Sequence, residues 1–514
     1  MLRGWSLSAT LLTLGPALSL MLSLSAPLPG QVDFGTPQQD TSGATGVNPI
    51  SVAAADFDGD QILDLVVADY DASGCNCATS GNTCIRVLLG SGNGTFHSPA
   101  AYCLPHGESP QHLITADFNG DGSPDVAVGA DGSPGHITIL LNDGTGSCST
   151  HSDYQVTARV WDLAAGDFDG DGNIDLVATD YAAGDAEGRL SIAFGDGTGA
   201  LPNGFQVLRT LDGGVPGVDV GDFDGDGDLD IALSEACPSP CDTGDPGRVI
   251  LLLGDGLGSF PSGDDQEIQV GTNPWGPSVS ADFNGDNRTD VAVVNQGDMT
   301  ISIILGSTPG NFIVNRTIQT GYSGNGFLAY LTAADYDLDQ YVDLSLTVST
   351  PGEIRVYRGD GGGGFCAGQA FSVGGGPNEH VPADFDGDGL PDLAAGTLGN
   401  PQDLWFLQNT TSSLPPPIPF FRGDVNGDGQ IDVADAVYLL LYLFLPGSPA
   451  PVCLDSADMD DGGVLDIGDP IALLDYLFHS GGTPPAPPFP GCGVDPTSDC
   501  LVNCSYPQGS CPPP

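Results

Sequence analysis

Residues 52–65 read Val52-Ala53-Ala54-Ala55-Asp56-Phe57-Asp58-Gly59-Asp60-Gln61-Ile62-Leu63-Asp64-Leu65: an apolar run, a nine-residue loop of the form D-x-[DN]-x-D-x-x-x-D, and a second apolar run. Short apolar runs on either side of a tight acidic turn predict a hairpin of two strands. The loop is written seven times, starting at Asp56, Asp117, Asp167, Asp222, Asp282, Asp335 and Asp384, with starts 61, 50, 55, 60, 53 and 49 residues apart.

In the first unit the strands are expected at residues 50–55 and 65–68. A third follows at 85–89, and after the turn Gly90-Ser91-Gly92-Asn93-Gly94 an outer one near residues 100–104. Third runs recur at 137–141, 190–194, 249–253, 301–305 and 354–357. Four strands in a unit of this length make one propeller blade, so the fold class is an all-β seven-bladed propeller over residues 31–410. The seventh unit runs from residues 403–407 into Thr410-Thr411-Ser412-Ser413 with no glycine-rich turn and no fourth strand. Phe34-Gly35-Thr36-Pro37 is written like Phe96-His97-Ser98-Pro99, so residues 31–45 are expected to supply the missing outer strand and close the ring.

The chain has eleven arginines and no lysine against 67 acids, and its net charge is −56. Nucleic acid and anionic membrane surfaces need basic patches and are excluded as partners, whereas cations are the natural counterpart. Residues 1–26, with Arg3 followed by a Leu/Ala/Ser run, read as a secretory signal, and no later stretch is expected to insert into a membrane. Thirteen cysteines agree with export as a secreted or cell-surface protein, and their odd number leaves one unpaired or intermolecular.

Each loop offers side-chain oxygens at positions 1, 3, 5 and 9, the pattern by which a turn wraps calcium. The candidate ligands are Asp56, Asp58, Asp60 and Asp64; Asp117, Asn119, Asp121 and Asp125; Asp167, Asp169, Asp171 and Asp175; Asp222, Asp224, Asp226 and Asp230. They continue with Asp282, Asn284, Asp286 and Asp290; Asp335, Asp337, Asp339 and Asp343; and Asp384, Asp386, Asp388 and Asp392. Two carboxylates about 4 Å apart repel by roughly 4 kcal/mol at an effective dielectric near 20, and no lysine offsets them. About seven Ca²⁺ ions are therefore expected, bracing hairpins and not catalysing. Position 6 needs a positive φ, which glycine or asparagine tolerates. Gln61 and Gln340 there, with Leu338 at position 4 of the sixth loop, predict weaker first and sixth sites.

These loops, with their V-A-x-x-D-F-D-G-D-G-x-x-D-L and L-L-G-x-G-x-G-x-F surroundings, resemble the FG-GAP/VCBS repeat of integrin α-subunit propellers and of many bacterial secreted proteins. The resemblance implies a calcium ring on one face and contacts with a ligand, protein or glycan, on the other.

Beyond a proline-rich linker (411–420), residues 421–482 carry two twelve-residue EF-hand-type loops, with Asp424, Asn426, Asp428, Asp432 and Asp435 in the first and Asp458, Asp460, Asp466 and Asp469 in the second. Apolar helices are expected at 436–444 and from Pro470 through 471–478. Gly462 replaces the position-5 acid of the second loop, so one or two ions are expected. The pair resembles a type I dockerin, which implies a cohesin-like or other surface-anchoring partner met through Val433, Ala434, Ile467 and Gly468. Residues 483–514 form a tail rich in proline and cysteine.

No G-x-S-x-G, H-E-x-x-H or G-x-x-x-x-G-K occurs. No catalytic residue is assigned, and the leading expectation is a non-catalytic adhesion or ligand-binding module. The alternative is a secreted carbohydrate-active lyase or hydrolase with a dockerin adaptor. His112, Trp161, Trp275 and His380 lie just before acidic loops, where they either pack between blades or, for the tryptophans, offer a sugar platform. The tripeptides Arg358-Gly359-Asp360 and Arg422-Gly423-Asp424 are discounted as recognition motifs, because Asp424 is expected to be occupied by calcium, residues 358–360 fall in the turn before an outer strand, and a three-letter match is frequent by chance.

Overall fold

The computed structural model describes residues 32–39, 48–70, 84–105, 108–181, 187–236, 246–308, 311–322, 326–398, 403–411, 422–426, 430–445, 448, 451, 454–459, 465 and 467–479. The expected signal segment, most of the linker, the tail, and Asp428, Asp460 and Asp466 lie outside the described residues.

Seven four-stranded antiparallel sheets succeed one another along the chain. In blade 1 the inner strand Pro49–Ala55, second strand Asp64–Asp69, third strand Cys84–Gly90 and outer strand Phe96–Cys103 pair in sequence order, with Ala55 opposite Asp64 and Leu65 opposite Leu88. The outer strand begins at Phe96 and not near residue 100, because a bulge between Val87 and Leu89 lets pairing run on to Gly90 opposite Phe96. The inner strands of the later blades are Pro110–Ala116, Arg159–Gly166, Gly217–Gly221, Val279–Ala281, Leu328–Ala334 and Pro377–Ala383. Each touches the next and the last touches the first, so the blades form a closed ring.

The second strands read as near-continuous apolar runs because each is sandwiched between neighbouring blades, and every residue of Asp64–Asp69, Asp125–Ala130 and Asp290–Asn295 is buried. The core is accordingly distributed between blades. Phe57, Val66 and Ile85 of blade 1 meet Leu113, Val128 and Leu140 of blade 2, and equivalent layers follow around the ring.

The ring closes as the sequence anticipates. The outer strand of blade 7 is Gln38–Gln39, paired with Leu404–Leu407 through Gln38 opposite Phe406 and Gln39 opposite Trp405. The Gly35 N–H donates to the Gln408 carbonyl at 2.8 Å and the Thr410 N–H to the Asp33 carbonyl at 2.7 Å. Val32 and Phe34 fill the layer between blades 6 and 7, where Phe34 meets Phe371 edge to face at 4.9 Å.

Cys84 stands opposite Cys103 on adjacent strands, and Cys148 is a buried free thiol. In the C-terminal region α1 (Val433–Phe444), α2 (Leu454–Ala457) and α3 (Gly468–Phe478) surround a small core of Val425, Ala436, Leu439, Met459 and Leu473. Helix α1 begins three residues earlier than the apolar pattern alone suggests, because Asp432 caps it in a reciprocal box with Asp435. No helix among the described residues is long and apolar enough to cross a membrane.

Candidate metal cages, axial cluster and channel mouth

The seven acidic loops are built alike, and the chain's own N–H groups explain each position. In the third loop, Oδ1 of Asp167 accepts from the N–H groups of Gly170 (2.8 Å) and Asp171 (3.1 Å), and its Oδ2 accepts from Gly172 (2.9 Å). Asp169 accepts from the Asp171 N–H at 3.2 Å, and Asp171 from the Asn173 N–H at 2.9 Å. The position-9 carboxylate is a bracket within the blade. Oδ2 of Asp175 takes the Phe168 N–H at 2.9 Å, and Oδ1 takes the Gly195 N–H at 2.8 Å from the end of the third strand. The same double bracket recurs at Asp64, Asp125, Asp230, Asp290, Asp343 and Asp392.

Burial pushes the carboxyls of Asp64, Asp125, Asp175, Asp230, Asp290 and Asp392 up to about 6 despite these hydrogen bonds. Burial, followed by the charge of Asp337, pushes Asp343 up to about 8. Carboxylates held this way are short of positive charge. In the first, third, fourth and seventh loops the acids of positions 1, 3 and 9 bring oxygens within 4.8 Å of one another, which fits a divalent oxygen-seeking cation. The second and fifth loops place the amide oxygens of Asn119 and Asn284 at position 3, each accepting the position-5 N–H as an aspartate does elsewhere.

The position-6 residues all take positive φ. It is +88° at Gly172 and +63° at Asn287, but also +71° at Gln61 and +77° at Gln340, with Leu338 at +58°. Gln61, Leu338 and Gln340 thus take a backbone conformation that glycine or asparagine takes in the other loops. The sixth loop departs further. Its convergent acids are Asp335, Asp337 and Asp339, and Nη1 of Arg358 lies 3.3 Å from Oδ2 of the fully buried Asp337. Arg358-Gly359-Asp360 is thus occupied internally, with Asp360 accepting the Gly362 and Gly364 N–H groups at 2.8 and 2.7 Å. Arg422 and Asp424 of the second tripeptide are both buried.

A role the sequence reading missed belongs to the position-2 aromatic and the glycine-rich turn. Gly146 N–H of blade 2 donates to the Phe57 carbonyl of blade 1, and Gly199, Gly258, Gly363 and Gly94 repeat this clasp onto Phe118, Phe168, Phe283 and Phe385. Gly146 has a φ of +75°, and a Cβ there would come within 2.8 Å of Leu89, so the turn must be glycine to close. Five of the seven acidic loops are thereby locked to their own blade and to the next.

At the propeller axis, the residues five before the loop starts converge: Ser51, His112, Asp162, Tyr330 and Glu379. His112 Nδ1 lies 3.0 Å from Asp162 Oδ1, while its Nε2 lies 3.0 Å from the Tyr330 hydroxyl and 3.5 Å from Glu379 Oε1. Burial alone would depress His112, but the two carboxylates outweigh it and push it up to about 10. Their shared offset from the acidic loop was the available sequence signal. His380 is different. Burial lowers it to about 3, and its Nε2 contacts the Ser345 hydroxyl at 2.6 Å, a neutral core histidine. Because His112 compensates two buried acids, His112→Leu is expected to cost about 3–5 kcal/mol. Urea denaturation in calcium would measure this, and a loss below about 1 kcal/mol, the range of exposed pairs, would refute the buried ion cluster.

At the start of the inner strands, on the end opposite the acidic loops, Trp161 and Trp275 meet edge to face at 5.3 Å, and Trp275 meets the exposed Phe327 at 6.4 Å. The Arg159 guanidinium sits 4.3 Å over Trp161. Tryptophans from blades 3 and 5 therefore share one aromatic patch that is part packing and part surface.

In the C-terminal region Asp424, Asp435, Asp458 and Asp469 are all buried. Oδ1 of Asp435 accepts the Val425 N–H at 2.9 Å, and Oδ1 of Asp469 accepts the Met459 N–H at 2.9 Å, the same ten-residue reach in both loops. Burial pushes Asp435 up to about 6.

A model of the FG-GAP-like repeat matches residues 69–128, 117–178, 282–346 and 335–395. No curated protein matches the chain. Among solved structures, BBS1N in complex with ARL6DN is similar at 16% identity and a TM-score of 0.47, covering 76% of this chain and 98% of that one. An Agrocybe aegerita lectin, whose structure concerns recognition of non-reducing terminal N-acetylglucosamine, follows at 17% identity and a TM-score of 0.44, covering 72% and 87%. A Lactobacillus plantarum protein has 12% identity and a TM-score of 0.42, covering 66% and 94%. The chain is a seven-bladed β-propeller in which residues 69–178 and 282–395 match FG-GAP-like repeats, and clustered acids in its loops are able to hold metal ions.

Proposed function

We propose that this chain is an exported, calcium-braced propeller that binds a protein or glycan ligand without transforming it, and that its C-terminal paired loops attach it to a surface or assembly in the manner of a dockerin. The convergence of three carboxylates in loop after loop, with no lysine in the chain, is the observation that carries the reading. The disulfide-bonded state of Cys84, Cys103 and Cys366 supports export.

Attachment is supported by matching apolar stripes on the two long helices. Val433, Val437 and Leu441 are 46–49% exposed on α1, and Ile467 and Ile471 are 47% and 57% exposed at and after the start of α3. They begin at position 10 of each loop, where a docking partner would meet them. Ligand binding is assigned to the mouth bearing Trp161, Trp275 and Phe327, because indole faces stack on the C–H faces of sugars and the mouth lies away from the calcium loops.

A glycan array probed with the full chain in calcium tests this. Wild type is expected to retain a defined set of glycans and Trp275→Ala to lose at least about tenfold in affinity, the size of one stacking contact. Retention unaffected by Trp275→Ala would move the site elsewhere. The axial His112, Asp162 and Glu379 carry the one alternative, a glycan lyase or hydrolase. Glycan cleavage abolished by Glu379→Gln would establish that alternative, and binding without turnover rejects it.

A further inference from the structure

We propose that the guanidinium of Arg358 stands where the other loops hold their cation, so that the sixth blade is braced by the chain itself and takes no calcium. The inference rests on the reading that the remaining loops bind calcium.

Three independent features of the sixth loop point the same way. The first is position. The residue just before the backbone N–H that brackets the position-9 acid is Leu89, Leu141, Phe194, Leu253, Leu305 or Gln408 in the other blades, and only here is it a cation. Its side chain is 13% exposed and reaches back over the loop to Asp337, whose own side chain is fully buried.

The second feature is the partner of the position-3 side chain. In the other six loops an oxygen of that side chain accepts the position-5 N–H, at 2.8–3.3 Å. In the sixth, Oδ2 of Asp337 is paired with Nη1 of Arg358 at 3.3 Å. Asp337 Oδ1 is left buried with no hydrogen-bond partner, so the arginine is the charge that compensates it.

The third feature is which acids converge. Positions 1, 3 and 5 come together here, whereas positions 1, 3 and 9 do so in the first, third, fourth and seventh loops. A guanidinium fixed beside the position-3 oxygen supplies there the positive charge that a divalent ion would bring, and it repels an arriving one.

Bound calcium per full-length chain, measured by elemental analysis in calcium-buffered solution, decides the matter. Asp335→Ala in the sixth loop is expected to leave the count unchanged, Asp167→Ala in the third to lower it by one, and Arg358→Leu, the residue type of most other blades, to raise it by one. A loss of one ion in Asp335→Ala, or no gain in folded Arg358→Leu, overturns the proposal. Should Arg358→Leu fail to fold, the comparison of the two aspartate variants still decides. An unchanged count in both aspartate variants, with no calcium in the wild type, would instead overturn the calcium reading of the whole ring.

Discussion

Chelation of divalent ions is expected to lower the melting temperature of this protein by roughly 20 °C. A ligand present at about 100 times its dissociation constant stabilises the folded state by about 2.7 kcal/mol per site, and six propeller sites together supply roughly 16 kcal/mol. Unfolding entropies of about 2.1 cal/mol/K per residue convert that sum over the propeller into the temperature shift. The effect is comparable to the whole stability of an ordinary domain, so the chelated ring should fray at physiological temperature. The sign of the pH dependence follows from the buried position-9 acids. Burial raises Asp64, Asp175 and their equivalents to about 6 in the fold from 3.8, so the metal-free protein keeps that stabilisation below about pH 4 and loses it as pH rises through 6. Asp343, raised to about 8, extends the loss further. Scanning calorimetry in chelator should show melting falling between pH 4 and 7, while saturating calcium, which displaces the protons, should flatten the slope. A melt shifted by less than a few degrees in chelator would reject the cages as ion sites.

What the sequence made legible were features set by local spacing. A nine-residue acidic turn dictates a hairpin wherever it is written, and its period dictates a blade, so the seven sheets and even the strand borrowed from the chain start could be read in advance. The boundary of the first outer strand could not, because a bulge at Val87 and Leu89 has no composition signature. The charge cluster on the axis was illegible for a different reason. His112, Asp162 and Glu379 come from three blades and meet only once the ring is closed, although their common offset of five residues from the loops placed each at the same height on its inner strand. Arg358 lies 15 residues beyond Asp343, outside the nine-residue pattern, so no spacing within the loop pointed to its contact with Asp337.

The two ends of the chain's propeller segment meet at one seam, and this makes its closure separately testable. A protein lacking residues 1–45 should lose most of its stability and self-associate even in calcium. The missing segment contributes Val32, fully buried, and Phe34, 7% exposed, to the layer between blades 6 and 7, where the ring of Phe34 also meets Tyr336 at 5.9 Å. Phe34→Ala alone is expected to cost about 3–5 kcal/mol. The backbone links from Gly35 to Gln408 and from Thr410 to Asp33 add further loss, as do the Asp33 N–H on the Thr411 hydroxyl at 2.9 Å and the Gln369 amide on the Val32 carbonyl at 2.7 Å. Deletion also bares the strand Leu404–Leu407, whose unpaired N–H and C=O groups then invite another chain to add itself. Sedimentation velocity should therefore find oligomers, and a synthetic peptide of residues 32–39 added in excess should return monomer and raise the melting temperature, because it refills the vacant strand position. A truncated protein that stays monomeric and melts with the full chain would show that the ring is held by its acidic loops and inter-blade clasps alone.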